Sequence, residues 1–493
     1  MTPKEDDMQP LSNNPTTGTT TEAPTASAAG SDPTVPEMTD GATTATQTAT
    51  TGTAATGTGA GATAATGTVA ATIRPLLGAL FGEQLPVRFE FWDGSAVGPD
   101  GGPGTIRIRS GDAVRRLLWA PGELGVARSY VAGDIEVDGD IFTVLRITHD
   151  RAPRDLRRAG AQMLPAVVSA ASRLGVIGWP PPPPPEEARQ TVVRHTIGRD
   201  AKVISHHYDV GNDFYRLFLG PSMTYSCARF VDDGYSLEDA QRAKHELVCR
   251  KLGLHQRRGM RLLDVGCGWG SMAMHAAAEH GASVVGITLS RSQVDMARQR
   301  VAEAGLEQQV EIRLQDYRQV RGEQFDAISS VGMFEHVGAK RMAQYFDTLH
   351  RLLTPHGRLL NHAISTPGGS RVGRRSFVGR YVFPDGELID VGRVVLAMEQ
   401  AGFEVRDVES LREHYVKTLH AWVGNLTDRW DEALALVGAG RARIWRLYMA
   451  ASANGFENGG LAIHQVLGVR PEADGSSAMP ATRREWERTE RQS

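Results

Sequence analysis

Asp264, Gly266, Gly268 and Gly270 fall on alternate positions of Arg261-Leu-Leu-Asp-Val-Gly-Cys-Gly-Trp-Gly270, and a helical pattern runs on from Met272 to His280. An apolar run, a glycine turn and a helix start make the first unit of a nucleotide-binding α/β sheet. Glycine lets the backbone approach a ligand closely and take φ > 0, and the helix behind it offers free N–H groups. The turn reads Gly-x-Gly-x-Gly, not the Gly-x-Gly-x-x-Gly of dinucleotide sites. An acid two residues ahead of it repels a pyrophosphate but receives an ammonium group. The pattern therefore favours S-adenosylmethionine (SAM) over NAD, with a plain tight turn as the alternative.

The second strand of such a sheet ends in an acid when it binds a ribose diol. Here it ends in Thr288-Leu-Ser290, so ribose contacts fall to Thr288 or Gln293. Asp316-Tyr317, after the third strand, can meet an adenine, with Asp316 accepting from the exocyclic amine. A turn cap is the other reading of Asp316. Glu335, in Gly332-Met-Phe-Glu-His-Val-Gly338 after the fourth strand, stands where substrate would meet cofactor. His336 fits a packing or capping role equally well. Arg371, Arg374, Arg375 and Arg380 form a basic cluster that suits a phosphate headgroup or a solvated loop.

These residues need a scaffold, and the order of elements predicts one. Residues 1–70 are almost entirely Thr, Ala, Gly, Ser and Pro and are expected to be disordered. Residues 71–150 read as a small α+β domain: a helix over 73–81, then strands at 87–92 and 104–109 around an Asp93-Gly94 turn. The segments 122–130 and 133–138 complete it. Residues 151–192 hold a helix over 154–178 and the prolines 180–185, a stiff linker. From 193 to 470, strands and helices alternate, which predicts a doubly wound, Rossmann-like parallel sheet. Helices follow Leu411, and 461–467 is expected as the last, edge strand. The charged tail 471–493 is expected to fray.

Composition narrows the function classes. The net charge of −3 over 493 residues lacks the basic excess of nucleic-acid binders, so no nucleic-acid partner is expected. Cys227, Cys249 and Cys267 show neither metal-ligand spacing nor a disulfide framework. No metal is expected, and a reducing compartment is. No apolar run approaches a membrane span and the N-terminus lacks a signal-peptide pattern. The expected location is the cytoplasm, with peripheral contact at the inner membrane face. Nothing in the sequence sets an oligomeric state.

Five blocks in fixed order carry a resemblance: His207-Tyr-Asp-Val-Gly-Asn-Asp213, Met223-Thr-Tyr-Ser-Cys227, Leu263-Asp-Val-Gly-Cys-Gly-Trp-Gly270, Gly286-Ile-Thr-Leu-Ser290 with Gln293, and Ser330-Val-Gly-Met-Phe-Glu-His-Val-Gly338. Tyr381-Val-Phe-Pro-Asp-Gly-Glu387 and His414-Tyr-Val-Lys-Thr-Leu-His-Ala-Trp422 extend it. Over 193–468 the chain resembles the cyclopropane-fatty-acyl-phospholipid synthases and their mycolic-acid relatives. The block at 71–150 is similar to the small N-terminal, lipid-binding-like domain of the longer members.

The resemblance implies a SAM-dependent methyltransferase acting on a cis double bond in a membrane phospholipid acyl chain. It implies cofactor contacts from Tyr225, Ser226, Asp264, Gly266, Gly268, Thr288, Ser290, Gln293, Asp316 and Tyr317. It also implies a bicarbonate ion as base, held by Glu335, His362, Tyr415 and the backbone of Cys227. One position departs: the family's Tyr-x-x-x-Cys is Tyr448-Met-Ala-Ala-Ser452 here. A serine does not replace a thiolate nucleophile without its own base. The family cysteine is then a pocket wall, or the product differs. Ring closure gives a cyclopropane. A hydride shift gives a methylene branch, which a partner reductase would convert to a methyl branch. A methyltransferase of another small lipophilic substrate and a non-catalytic lipid- or SAM-binding protein are the remaining alternatives.

Overall fold

The structure, a computed structural model, describes residues 67–151, 156–187, 210–371, 373, 376–383 and 386–487. The Thr/Ala/Gly-rich segment to residue 66, His207–Asp209, Arg374 and Arg375 lie outside them. Residues 69 and 70 already belong to a helix, Val69–Phe81, whose N-cap Thr68 accepts from Ala71 N. It packs on a small sheet of β1 (Arg88–Phe91), β2 (Ala96–Val97), β3 (Gly104–Ile108) and β4 (Ile135–Gly139), in the order β2-β1-β3-β4. The turn at Asp93-Gly94 gives the antiparallel β1–β2 pair. Strand alternation turns Phe89, Phe91 and Val97 towards Val69, Ile73 and Leu77. The segment 122–130 belongs to a helix, Glu123–Ala132, closed by the left-handed Gly133.

The helix over 154–178 is found at Leu156–Arg173. Leu164 and Val168 on it are exposed, and Ala170 and Ala171 near its end are buried. The proline run is not a free spacer. Arg116 donates to Pro182 O (2.7 Å), and Glu187 just beyond it pairs with Arg128 and Arg380.

The second part is built on seven strands: β5 (Arg261–Val265), β6 (Ser283–Thr288), β7 (Val310–Leu314), β8 (Phe325–Val331), β9 (Leu353–Ser365), β12 (Glu404–Ser410) and β13 (Ala462–Val469). A short pair, β10 (Ser370–Arg371) and β11 (Glu387–Leu388), lies outside that sheet. The order is β12-β13-β9-β8-β5-β6-β7. Strands β5 to β9 are parallel, as expected, with helices in the connections.

The last strand is the correction. β13 is not an edge: it lies antiparallel between β9 and β12. Its near-continuous buried run suits an interior strand, whereas β12 shows the partial burial of an edge. The tail also departs from expectation through residue 487. Trp486 is buried in the core cluster around helix Leu237–Leu252, and Arg483 pairs with Asp407.

Two long C-terminal helices, Arg412–Asp428 and Trp430–Glu457, pack over the short helix Asn212–Leu219. The second is broken at Gly438, whose φ of 77° is costly for any other residue. Trp422, Trp445 and Phe456 meet Phe214, Tyr215 and Phe218 in an apolar cluster. No helix among the described residues is long and apolar enough to cross a membrane.

Candidate active site

A cavity of about 1160 Å³, open mouth included, lies at the carboxyl ends of β5, β6 and β8, where open α/β sheets place their ligands. The glycine turn forms its floor. Gly266 and Cys267 both donate their N–H to Ile287 O, which ties the turn to β6. Gly266 has φ 79°, and a Cβ on it would meet Met333 at 3.0 Å. That close approach is the physical reason for glycine.

Asp264 accepts from Ser329 Oγ (2.8 Å) through one oxygen, while the other is buried with no hydrogen-bond partner. Burial pushes its pKa up to about 6. Across the cavity wall, Lys244 is fully buried and donates to Ser226 Oγ (3.0 Å). Among the described residues no carboxylate lies within ion-pair distance of it. Burial lowers its pKa to about 8. An unpaired acid and an unpaired amine on one cavity complement the ammonium and carboxylate of an amino-acid zwitterion.

Nine of the ten sequence-derived cofactor residues line this cavity: Tyr225, Ser226, Asp264, Gly266, Gly268, Thr288, Gln293, Asp316 and Tyr317. Thr288 Oγ1 donates to Gln293 Oε1 (2.7 Å), so the two ribose candidates position each other. Asp316 meets both of its readings. It faces the cavity, and it also caps the turn Tyr317–Gln319 and binds the Arg318 guanidinium. Ser290 is not in the cavity wall. It caps helix Arg291–Glu303 by accepting from Gln293 N, the common use of serine before a helix.

The five residues expected to carry chemistry are absent from that wall and are partly or fully buried beyond it. Glu335 accepts from Ile364 N (2.7 Å) through Oε1, and its Oε2 is buried without a partner. Burial pushes its pKa up to about 7. His362, two residues before Ile364 on β9, accepts from the Gln465 amide at Nδ1 (3.2 Å). That bond leaves the ring hydrogen on Nε2, which is buried and unpartnered. Burial holds the imidazole well below its ordinary pKa, hence neutral.

Tyr415 packs between Trp422 and Phe456. Cys227 sits in the same cluster, its Sγ turned to Ala228 O and Leu411 O, and burial raises its pKa. It is an inert thiol. Ser452 and Tyr225 share hydrogen bonds with Tyr448, a partly buried phenol pushed up to about 12 by desolvation and by nearby Glu335.

Sequence reasoning missed Lys244, His245 and Tyr448. A signal for Lys244 existed. It lies on the apolar stripe Ala240, Leu247, Val248 of helix Leu237–Leu252, where a lysine needs a reason. Lys251, on the same stripe, has one in Asp407 and Glu409.

Comparison with known proteins bears on the same residues. The family model described as mycolic acid cyclopropane synthetase matches residues 195–466. The "Probable fatty acid methyltransferase Rv3720" of Mycobacterium tuberculosis is 42% identical over 408 residues, covering 80% of this chain and 94% of its own. The "Tuberculostearic acid methyltransferase UfaA1" of the same organism is 33% identical over 401 residues, 78% of this chain and 88% of its own. Among solved structures, mycolic acid cyclopropane synthase CmaA1 in complex with SAH and CTAB is similar with a TM-score of 0.51. It is 35% identical, covering 55% of this chain and 98% of its own.

Proposed function

The chain belongs to the mycolic acid cyclopropane synthetase family and is a SAM-dependent lipid methyltransferase; from that premise we propose that it adds one carbon at the cis double bond of an unsaturated acyl chain in membrane phospholipid. The observation that carries this reading is the buried, unpartnered Glu335 Oε2 set against an aromatic, apolar wall beside the cofactor cavity. A polar substrate has little to bind there, and an acyl chain has much.

SAM supplies the methyl group. Asp264 and Lys244 would hold the ammonium and carboxylate of its amino-acid end, and Thr288 with Gln293 the ribose. The alkene π pair forms the new carbon–carbon bond as the carbon–sulfur bond breaks, leaving a cation on the acyl chain. Tyr225, Tyr448 and Trp445 pack against one another beside Glu335 and offer aromatic faces to that charge.

A proton must then leave. Bicarbonate, when bound, supplies a proton acceptor, and the orphaned Glu335 Oε2 and His362 Nε2 suit an anion. Glu335 is near half-protonated at neutral pH, so it can donate to an anion and does not repel it as a full charge. His362 donates from Nε2, Tyr415 from its hydroxyl and Cys227 from its backbone. Ser452 is held by Tyr448 and has no base to make it a nucleophile. Loss of the proton from the new methyl closes a ring. Loss after a hydride shift leaves a methylene branch, which a separate reductase would saturate.

Exposed Trp119 and Trp179, stacked on each other, with exposed Ile177 and with Leu164 and Val168 on the helix that packs against that of Trp119, suit peripheral contact with the bilayer. Incubation of the purified chain with SAM and vesicles of unsaturated phospholipid tests the reading. Acyl chains heavier by one carbon and two hydrogens support it, and unchanged chains reject it. Mild hydrogenation then adds two hydrogens to a methylene product and none to a cyclopropane.

A further inference from the structure

Behind the cofactor cavity, two helices bring the ligand atoms of Cys249, His275 and His280 to one point, with Glu246 lying against the two imidazoles. We infer that Cys249, His275, His280 and Glu246 form a zinc site joining helix Leu237–Leu252 to helix Ser271–His280. The ligand atoms of Cys249, His275 and His280 lie within 4.8 Å of one another. Glu246 Oε2 stands 2.9 Å from His280 Nε2 and 3.4 Å from His275 Nε2. Glu246 and Cys249 are three residues apart on one helix, so they share a face.

The donor set of one sulfur, two imidazole nitrogens and one carboxylate oxygen fits tetrahedral zinc. Thiolate and carboxylate together neutralise the dication, and the thiol proton goes to solvent. Arg250 takes the other oxygen of Glu246 and fixes its orientation, as partners behind metal ligands do. The cluster is nearly dry: Cys249 is fully buried, and the side chains of His275, His280 and Glu246 are 11%, 9% and 24% exposed.

A simple ion pair between Glu246 and the histidines explains three of these groups. Cys249 also packs in the buried apolar cluster of its helix; what sets it apart is that its thiol stands against two imidazoles. The helix that His280 ends is the one that begins behind the glycine turn. A metal here fixes that helix against its neighbour, and His245 bridges the two regions, lining the cavity with its ring 5.7 Å from that of His275.

The test uses the full, tag-free chain, stripped with a chelator and titrated with zinc and, separately, with cobalt. One zinc per chain, a higher melting temperature on binding and a thiolate-to-cobalt charge-transfer band are expected. Cys249→Ser should abolish the band, and Cys249→Ser and His275→Gln should each weaken zinc binding by at least about 100-fold, with SAM binding as the folding control. His275→Gln stands alone if Cys249→Ser does not fold. Absence of stoichiometric zinc, cobalt binding without the thiolate band, or affinity unchanged in both variants overturns the site.

Discussion

The cofactor cavity takes its wall from strand ends and their turns, the loop 223–226 and helix Leu237–Leu252, all within one stretch of chain from Met223 to Arg341. The side chains around Glu335 come from β9, the loop after β8 and the helices Arg412–Asp428 and Trp430–Glu457. The cavity is partly open to solvent and brings an unpaired acid, Asp264, and an unpaired amine, Lys244, to one wall. The aromatic cluster holds a carboxyl whose pKa burial raises to about 7, so that it is near half-protonated at neutral pH. On the proposed reading, donor binding and proton handling fall to different parts of the fold, and substitutions should separate them.

The largest separation is expected from Glu335→Gln. Removing a group that holds and moves a proton costs about 10²–10⁴-fold in turnover, while SAM affinity, read by calorimetry, should stay at the wild-type value. An equal loss in both would merge the two regions into one.

Lys244→Met is the converse. It removes one charge-assisted contact to the donor's carboxylate, worth about 1.5–3 kcal/mol, so SAM should bind about 10–100-fold more weakly. Turnover at saturating SAM should change far less.

A third expectation concerns pH. Glu335 in the folded chain holds its proton up to about pH 7, above its ordinary value, because it is buried. Between those two values the unfolded chain has lost a proton that the folded chain keeps. This one group therefore makes stability fall as pH rises, by about 1.4 kcal/mol per unit. Thermal melts of the wild type and Glu335→Gln should therefore separate towards high pH, the wild type losing about 1.4 kcal/mol per unit relative to the variant across that window. Parallel curves would show that the carboxyl is not buried as described.

The smallest effect belongs to Tyr448→Phe. It leaves the ring and removes the hydroxyl shared with Tyr225 and Ser452, about 1 kcal/mol. A several-fold loss of turnover with unchanged SAM binding, measured in the same assays, is expected.

The same division explains what the sequence disclosed. Glycines at 266 and 268 and the acid at 264 are local signals: a turn needs its glycine whatever the rest of the chain does. The alternating strands and helices from β5 to β9 were legible for the same reason. Tyr448 and Ser452 sit in an unremarkable helical run, and nothing local says that Tyr448 meets Tyr225 from over two hundred residues away. β13 was misplaced because an apolar strand pattern carries no record of its neighbours. The Cys249 cluster was invisible because its ligands come from two helices, without motif spacing. Lys244 was readable in principle, as a charge on an apolar stripe.

The central claim is that the methyl carbon is built into an alkene and gives up one of its own hydrogens in a proton-removal step. The direct measurement supplies SAM with a fully deuterated methyl group to the purified enzyme and vesicles of unsaturated phospholipid, then weighs the acyl chains. The account predicts acyl chains that gain the carbon with two of its three deuterons, whether ring or methylene. Retention of all three deuterons, or label found only outside the acyl chain, would contradict it.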